Sequence, residues 1–128
     1  MSEINKEIVE KVNAAFSDNK PEVFLSYCDD RVEWTIVGDR TLNGKTAIRE
    51  FMSSMGDAPP PTFTVDEIIA GGDSVACYGG MTMPDADGNE TKYSFCDLYR
   101  FGNGKIRTLR SFVVKHKTED ESEQSAAA

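Results

Sequence analysis

No run of about 18 apolar residues occurs anywhere in the 128-residue chain, so no segment is expected to cross a membrane. The first stretch, MSEINKEIVE, is charged and has no apolar core of the kind a secretory signal needs, so secretion is not expected. Cysteine is scarce. Cys28, Cys77 and Cys96 are odd in number and lack metal-ligand spacing, so they read as reduced thiols in a cytoplasm, with no metal and no disulfide framework. Histidine occurs once, as His116, between Lys115 and Lys117. There it reads as a solvated strand end rather than a base aimed at a substrate. Positive charge is in deficit: 14 Lys and Arg against 22 Asp and Glu give a net charge of −8. Such a chain repels phosphate backbones, which excludes nucleic acid as a partner. Part of the acidity lies in the tail TEDESEQSAAA, and residues 118–128 are expected to be disordered beyond a single domain over 1–117.

Two motifs mimic ligand sites. The stretch GDRTLNGKT ends as a phosphate loop does, but such a loop sets its first glycine five positions ahead of the second. Asp39 occupies that place and would set a carboxylate against the phosphate. The stretch reads instead as a loop entering a helix near Lys45. The acidic run from Asp85 to Glu90 resembles a calcium loop but lacks flanking helices and the closing glutamate, so a hairpin turn is expected. Asn89-Glu90-Thr91 matches a glycosylation acceptor by chance, given the missing signal segment.

The rest of the chain punctuates itself. Ile4, Ile8, Val12, Ala15 and Phe16 make one apolar stripe on a helix over about 3–17. Pro21 suits the first turn of a short second helix carrying Val23, Phe24 and Tyr27. Val32, Trp34 and Ile36 alternate with polar residues, as a strand does. Ala47, Ile48, Phe51, Met52 and Met55 stripe a third helix, with Gly56 placed to close it. Pro59-Pro60-Pro61 breaks the pattern. Beyond it, strands are expected over 62–70, 74–83, 91–101 and 105–114, joined at Gly71-Gly72-Asp73, 84–89 and Gly102-Asn103-Gly104. Helices with one strand, then an antiparallel meander, make an α+β layout.

In that order four segments, YCDDRVEWTIVG, LNGKTAIREFM, GGDSVACY and CDLYRFGNGKIRTLRSF, resemble the SnoaL-like branch of the nuclear-transport-factor-2-like superfamily over about residues 4–116. That group includes ketosteroid isomerases, limonene-epoxide hydrolases and polyketide cyclases. The resemblance implies a cone: a curved antiparallel sheet of five to six strands, closed by three N-terminal helices around a pocket, in a chain that forms a homodimer. It places Trp34 inside with Val32 and Ile36, then Ala76, Tyr78, Gly80 and Thr82. Phe95, Asp97, Tyr99 and Phe101 follow on the next strand, and Leu109, Ser111 and Val113 on the last. Phe16, Phe51 and Met55 would close the pocket from the helices. Cys77, Cys96, Arg100 and Arg110 would lie on the opposite, dimerising face. A one-residue slip would exchange the two sets.

The inward set implied by the resemblance is aromatic and aliphatic, with one carboxyl group, Asp97. It suits a small apolar ligand with a carbonyl handle. Burial would raise the pKa of Asp97, so that its neutral form donates a hydrogen bond. CDLYRF resembles the isomerase segment bearing a protonated aspartate, which makes Asp97 its counterpart. The isomerase's base has Trp34 for a counterpart, and its helix-borne tyrosine has Val12. The Asp-Arg-Asp set of the epoxide hydrolases cannot be assembled. Three functions stay open at this point: isomerase, cyclase or hydrolase chemistry on Asp97, with Trp34, Tyr78 and Tyr99 positioning the substrate; binding without turnover; or a dimeric scaffold. Asp97 is either that functional acid or a structural one bonded to Tyr78, Trp34 or backbone. No cofactor is expected.

Overall fold

The computed structural model describes residues 2–54, 61–84 and 87–117. Met55, Gly56 and the tail therefore lie outside the described residues. Helix α1 (Ser2–Ser17) buries Asn5, Ile8, Val9, Val12 and Ala15. Its inner face is centred on Val9 and Val12 rather than on Ile4, which is 57% exposed. Helix α2 (Pro21–Ser26) starts on Pro21 and buries Phe24 and Leu25. Helix α3 (Gly44–Ser54) buries Ile48. Arg49 on α3 donates two hydrogen bonds to the Glu22 carboxylate of α2, tying the short helix to the long one at the surface.

Six strands form one sheet. They are β1 (Cys28–Ile36), β2 (Arg40–Asn43), β3 (Thr62–Gly71), β4 (Ser74–Pro84), β5 (Glu90–Gly102) and β6 (Lys105–Lys115). Their order is β2-β1-β6-β5-β4-β3, and the sheet is not closed. The GDRTLNGKT stretch holds a short edge strand not foreseen from the sequence. Gly38, at φ +85°, turns the chain into β2, and Gly44, at φ +86°, turns it out into α3. Both conformations suit a residue without a Cβ.

Two expectations need correction. The sheet is mixed rather than antiparallel throughout, because β1 lies parallel to β6. The first strand can reach the last in that sense because α3 and the meander intervene, and parallel neighbours need such a long crossover. The second correction concerns β4. Val75, Cys77, Gly79 and Met81 face the core, and Ala76, Tyr78, Gly80 and Thr82 face outward. Residues paired across an antiparallel ladder share a face. Cys77 pairs with Asp97 and Val75 with Tyr99, so the inward set of β5 dictates that of β4. Both faces of β4 carry small or apolar side chains, so alternation alone did not choose between them.

The core lies between the helices and the inner face of the sheet. Val9, Val12, Phe24, Val32, Ile48, Cys77, Tyr99 and Ile106 are wholly buried there. Each such aliphatic or aromatic side chain stabilises the fold by about 1.5–3 kcal/mol.

Candidate functional site

Strand β5 sends Phe95, Asp97 and Tyr99 to the inner face. Strand β6 sets Val113, Ser111 and Leu109 opposite them in register. On the far side of β6, Trp34 and Ile36 of β1 lie alongside Leu109 and Ser111. Three helices supply the facing wall. The Trp34 ring stacks on Phe16 of α1 at 6.1 Å between centroids. It meets Phe24 of α2 and Phe51 of α3 edge to face, each at 5.9 Å. Offset and T-shaped contacts of this kind add to plain area burial. The guanidinium of Arg40 lies 5.3 Å from the Phe51 ring centroid.

Polar atoms in this wall are few. The Trp34 indole Nε1–H donates to Ser111 Oγ at 2.9 Å. Asn13 Nδ2 on α1 donates to Cys77 Sγ at 3.3 Å. Asp97 is half-buried as a residue. The protein packed around its carboxyl pushes its pKa up to about 6, while a hydrogen bond from Ser111 draws it back down. An acid with that pKa exchanges its proton close to neutrality, as an acid–base group must. Tyr99 is wholly buried, and its hydroxyl has no hydrogen-bond partner among the described residues. Burial, then the charge of Asp97, hold its phenol well above its ordinary pKa, so it stays a neutral donor. The thiols of Cys77 and Cys96 are also raised, burial being the main cause, and that of Cys28 is pushed up to about 12. None of the three is a thiolate nucleophile.

The structure thus brings together Trp34, Phe16, Phe51, Phe95, Asp97, Tyr99 and Ser111. Tyr78 must be removed from the set: it is 41% exposed on the outer face, because the ladder pairs it with Cys96 and not with Asp97. Val113 has the inward register, opposite Phe95, but is 44% exposed towards the open end of the sheet. Met55 lies outside the described residues. Of the partners considered for Asp97, Tyr78 faces the other side of the sheet and the Trp34 N–H is given to Ser111. Sequence reasoning missed Asn13, Phe24 and Cys77 as neighbours of the site. Asn13 had a signal: it falls on the same helical face as Asn5, Val9 and Phe16. Cys77 was assigned to the outer face and is fully buried.

A separate groove of about 560 Å³ runs along the bulged start of β1, lined by Asp29, Asp30, Arg31, Glu33, Arg107 and Thr108. None of these residues belongs to the Asp97 wall. Among the described residues, no three His, Cys, Asp or Glu side chains come together to hold a metal ion. No described helix is long and apolar enough to cross a membrane.

The family model for the SnoaL-like domain matches residues 9–109. The chain belongs to the SnoaL-like family. Its likeness to solved structures has the same sense. An NTF2-like protein of unknown function from Cytophaga hutchinsonii is 28% identical at TM-score 0.73, over 89% of this chain and 99% of that one. One from Burkholderia pseudomallei is 20% identical at TM-score 0.79, over 98% of both chains. An LEH-like epoxide hydrolase of M. tuberculosis is 14% identical at TM-score 0.77, over 95% of this chain and 89% of that one. No curated protein matches the chain. This SnoaL-like chain therefore has the cone-shaped α+β fold, and its chemistry must be argued from its own residues.

Proposed function

We propose that this SnoaL-like protein binds a small, largely apolar, carbonyl-bearing molecule against the aromatic wall, with Asp97 as its acid–base or hydrogen-bonding group. The observation that carries this reading is the inward carboxyl of Asp97, raised to about 6 by burial beside the aromatic cluster. Neutral, it donates to a carbonyl or enolate oxygen; ionised, it takes a proton from an adjacent carbon. Isomerase-type and cyclase-type chemistry both fit one such carboxyl.

A second reading, binding without turnover, is favoured by Trp34. Where the family resemblance sets a base stands an indole that accepts no proton and whose N–H is already given to Ser111. We further propose that the protein forms a homodimer through the outer face of the sheet and works in the cytoplasm, where its three free thiols stay reduced.

Native mass spectrometry of freshly purified protein tests the binding claim. A co-purified small molecule is expected, and it should be lost from Asp97→Asn and Asp97→Leu variants that melt at or above the parent temperature. If both variants melt well below the parent and neither they nor the parent carry a ligand, Asp97 is a structural residue and the proposal is wrong.

A further inference from the structure

We propose that Arg40 is a specificity-determining residue that takes a carboxylate at one end of the ligand, so that the molecule bound against the aromatic wall is an apolar carbonyl compound bearing an acid group. This deepens the proposed function and rests on it. Arg40 opens the edge strand β2, and its ladder partner on β1 is Ile36. Partners across an antiparallel ladder share a face, and so do alternate residues of one strand. Arg40 therefore stands on the same face as Ile36 and Trp34. Beyond Ile36 the same row of the sheet runs to Ser111 on β6 and then to Asp97 on β5. Three strand spacings separate Arg40 from Asp97 along that row, roughly 14 Å at the backbone.

The guanidinium is held in place before a ligand arrives. It lies over the Phe51 ring, 5.3 Å from the centroid, and Phe51 in turn meets Trp34 edge to face. Its Nε–H donates to Asp39 Oδ1 at 3.3 Å. Among the described residues, nothing pairs with its two terminal nitrogens. An arginine whose Nε is engaged keeps Nη1 and Nη2 as the end of its fork, and a carboxylate matches that fork with two parallel hydrogen bonds. The stacking and the Asp39 contact limit the side chain's freedom, so less entropy is lost on binding. Charge sets the direction of the ligand. The chain carries −8 overall, so an anion is repelled from most of its surface. Beside Asp97 a ligand carboxylate would meet a second carboxyl, whereas beside Arg40 it meets a cation. An acid ligand thus lies with its carboxylate towards β2 and its carbonyl towards β5. Trp34, Ile36 and Phe51, along the way, are only half-buried, so their apolar surface is open to the body of the ligand.

The test uses two matched probes, each followed by backbone NMR shifts. One is para-benzoylbenzoic acid, an apolar ketone with a carboxylate at one end; the other is para-benzoylbenzamide, its uncharged counterpart. Each is titrated into the parent, Arg40→Gln and Asp97→Leu. The Arg40 side chain is 53% exposed, so its replacement is not expected to disturb the fold. Hydrogen bonds to a charged group should make the parent bind the acid about tenfold more tightly than the benzamide. Arg40→Gln should lose about that factor for the acid and leave the benzamide unchanged. Equal affinities for the two probes in the parent overturn the proposal, and so does an acid preference that survives Arg40→Gln. An acid that does not bind the parent overturns it as well. The Asp97→Leu arm keeps this proposal apart from the reading beneath it. An acid that needs Arg40 but binds Asp97→Leu as it binds the parent upholds the carboxylate site and removes Asp97 as a ligand contact. Probes bound alike by the parent and Arg40→Gln, yet weakly by Asp97→Leu, uphold Asp97 and overturn Arg40.

Discussion

At the residue scale, Asp97 is costly to the fold in a way that depends on pH. Its folded pKa, about 6, lies above the ordinary value of 3.8. Between those values the unfolded chain gives up its proton while the folded chain keeps it. Stability therefore falls as pH rises through that window, and the loss is complete above it. A shift of this size corresponds to about 3 kcal/mol, as an order of magnitude. Asp97→Asn removes the charge and keeps the shape. Urea unfolding should find the variant more stable than the parent at pH 8, by up to about 3 kcal/mol. The difference should shrink to near nothing below about pH 3, under both values, where the parent carboxyl is protonated in both states. A variant equally destabilised at both pH values would mean that the carboxylate holds the fold together. A stability cost of this kind is what a group kept for function often brings.

At the element scale, the arrangement of β4 is the feature on which the site's membership turns. Gly79 faces inward beneath a bulge of β3, where a Cβ would collide with the backbone carbonyl of Thr64. Gly80 faces outward, where a Cβ would sit 3.9 Å from Tyr93 O, an ordinary contact. Gly79→Ala should therefore cost roughly 2–4 kcal/mol in chemical denaturation and Gly80→Ala less than about 1 kcal/mol. Equal costs, or the reverse order, would mean that the register is slipped. The same strand shows what was legible in the sequence and what was not. On β5, the inward direction of Phe95, Asp97, Tyr99 and Phe101 came from the family resemblance, because Cys96 and Leu98 on the other face are not polar and alternation alone does not choose. On β4, the family resemblance set Tyr78 on the wrong face, and small or apolar side chains on both faces gave no local signal against it. Counting back from the turn resolves the ambiguity: Met83 and Thr91 pair on either side of it, which sets Cys77 across from Asp97. The helices, the hairpins and Asp97 were legible from periodicity, turn residues and family resemblance. The parallel β1–β6 pairing and the Trp34–Ser111 bond were not, because 77 residues separate the bonded side chains and no local pattern records the contact.

At the scale of the whole molecule, the two faces of the sheet divide the protein's business. The inner face holds the carboxyl, and the outer face carries Ile69, Tyr78, Leu98 and Val114, all more than a third exposed. Arg110 lies over the Phe112 ring on that side. An apolar surface rimmed by such groups is what the proposed homodimer would bury. A stable interface of ordinary size needs about 800 Å² per partner, roughly a tenth of the 8189 Å² this chain exposes. Each copy also carries a net charge of −8, so two copies repel at long range and salt should strengthen their association. Leu98→Asp places a carboxylate in the middle of the patch, where like charges from the two copies would have to be desolvated together. Light scattering should then find a particle of 14.1 kDa where the parent gives twice that mass. A parent that is itself monomeric at every salt concentration rejects the dimer. Successive residues of a strand point to opposite faces, so position 98 can be changed without touching the site at 97. The Asp97 titration midpoint, read from its carboxyl carbon by NMR, should therefore survive the Leu98→Asp substitution. If it moved with the loss of the partner, the ligand site and the dimer face would be coupled through the sheet and not merely placed back to back.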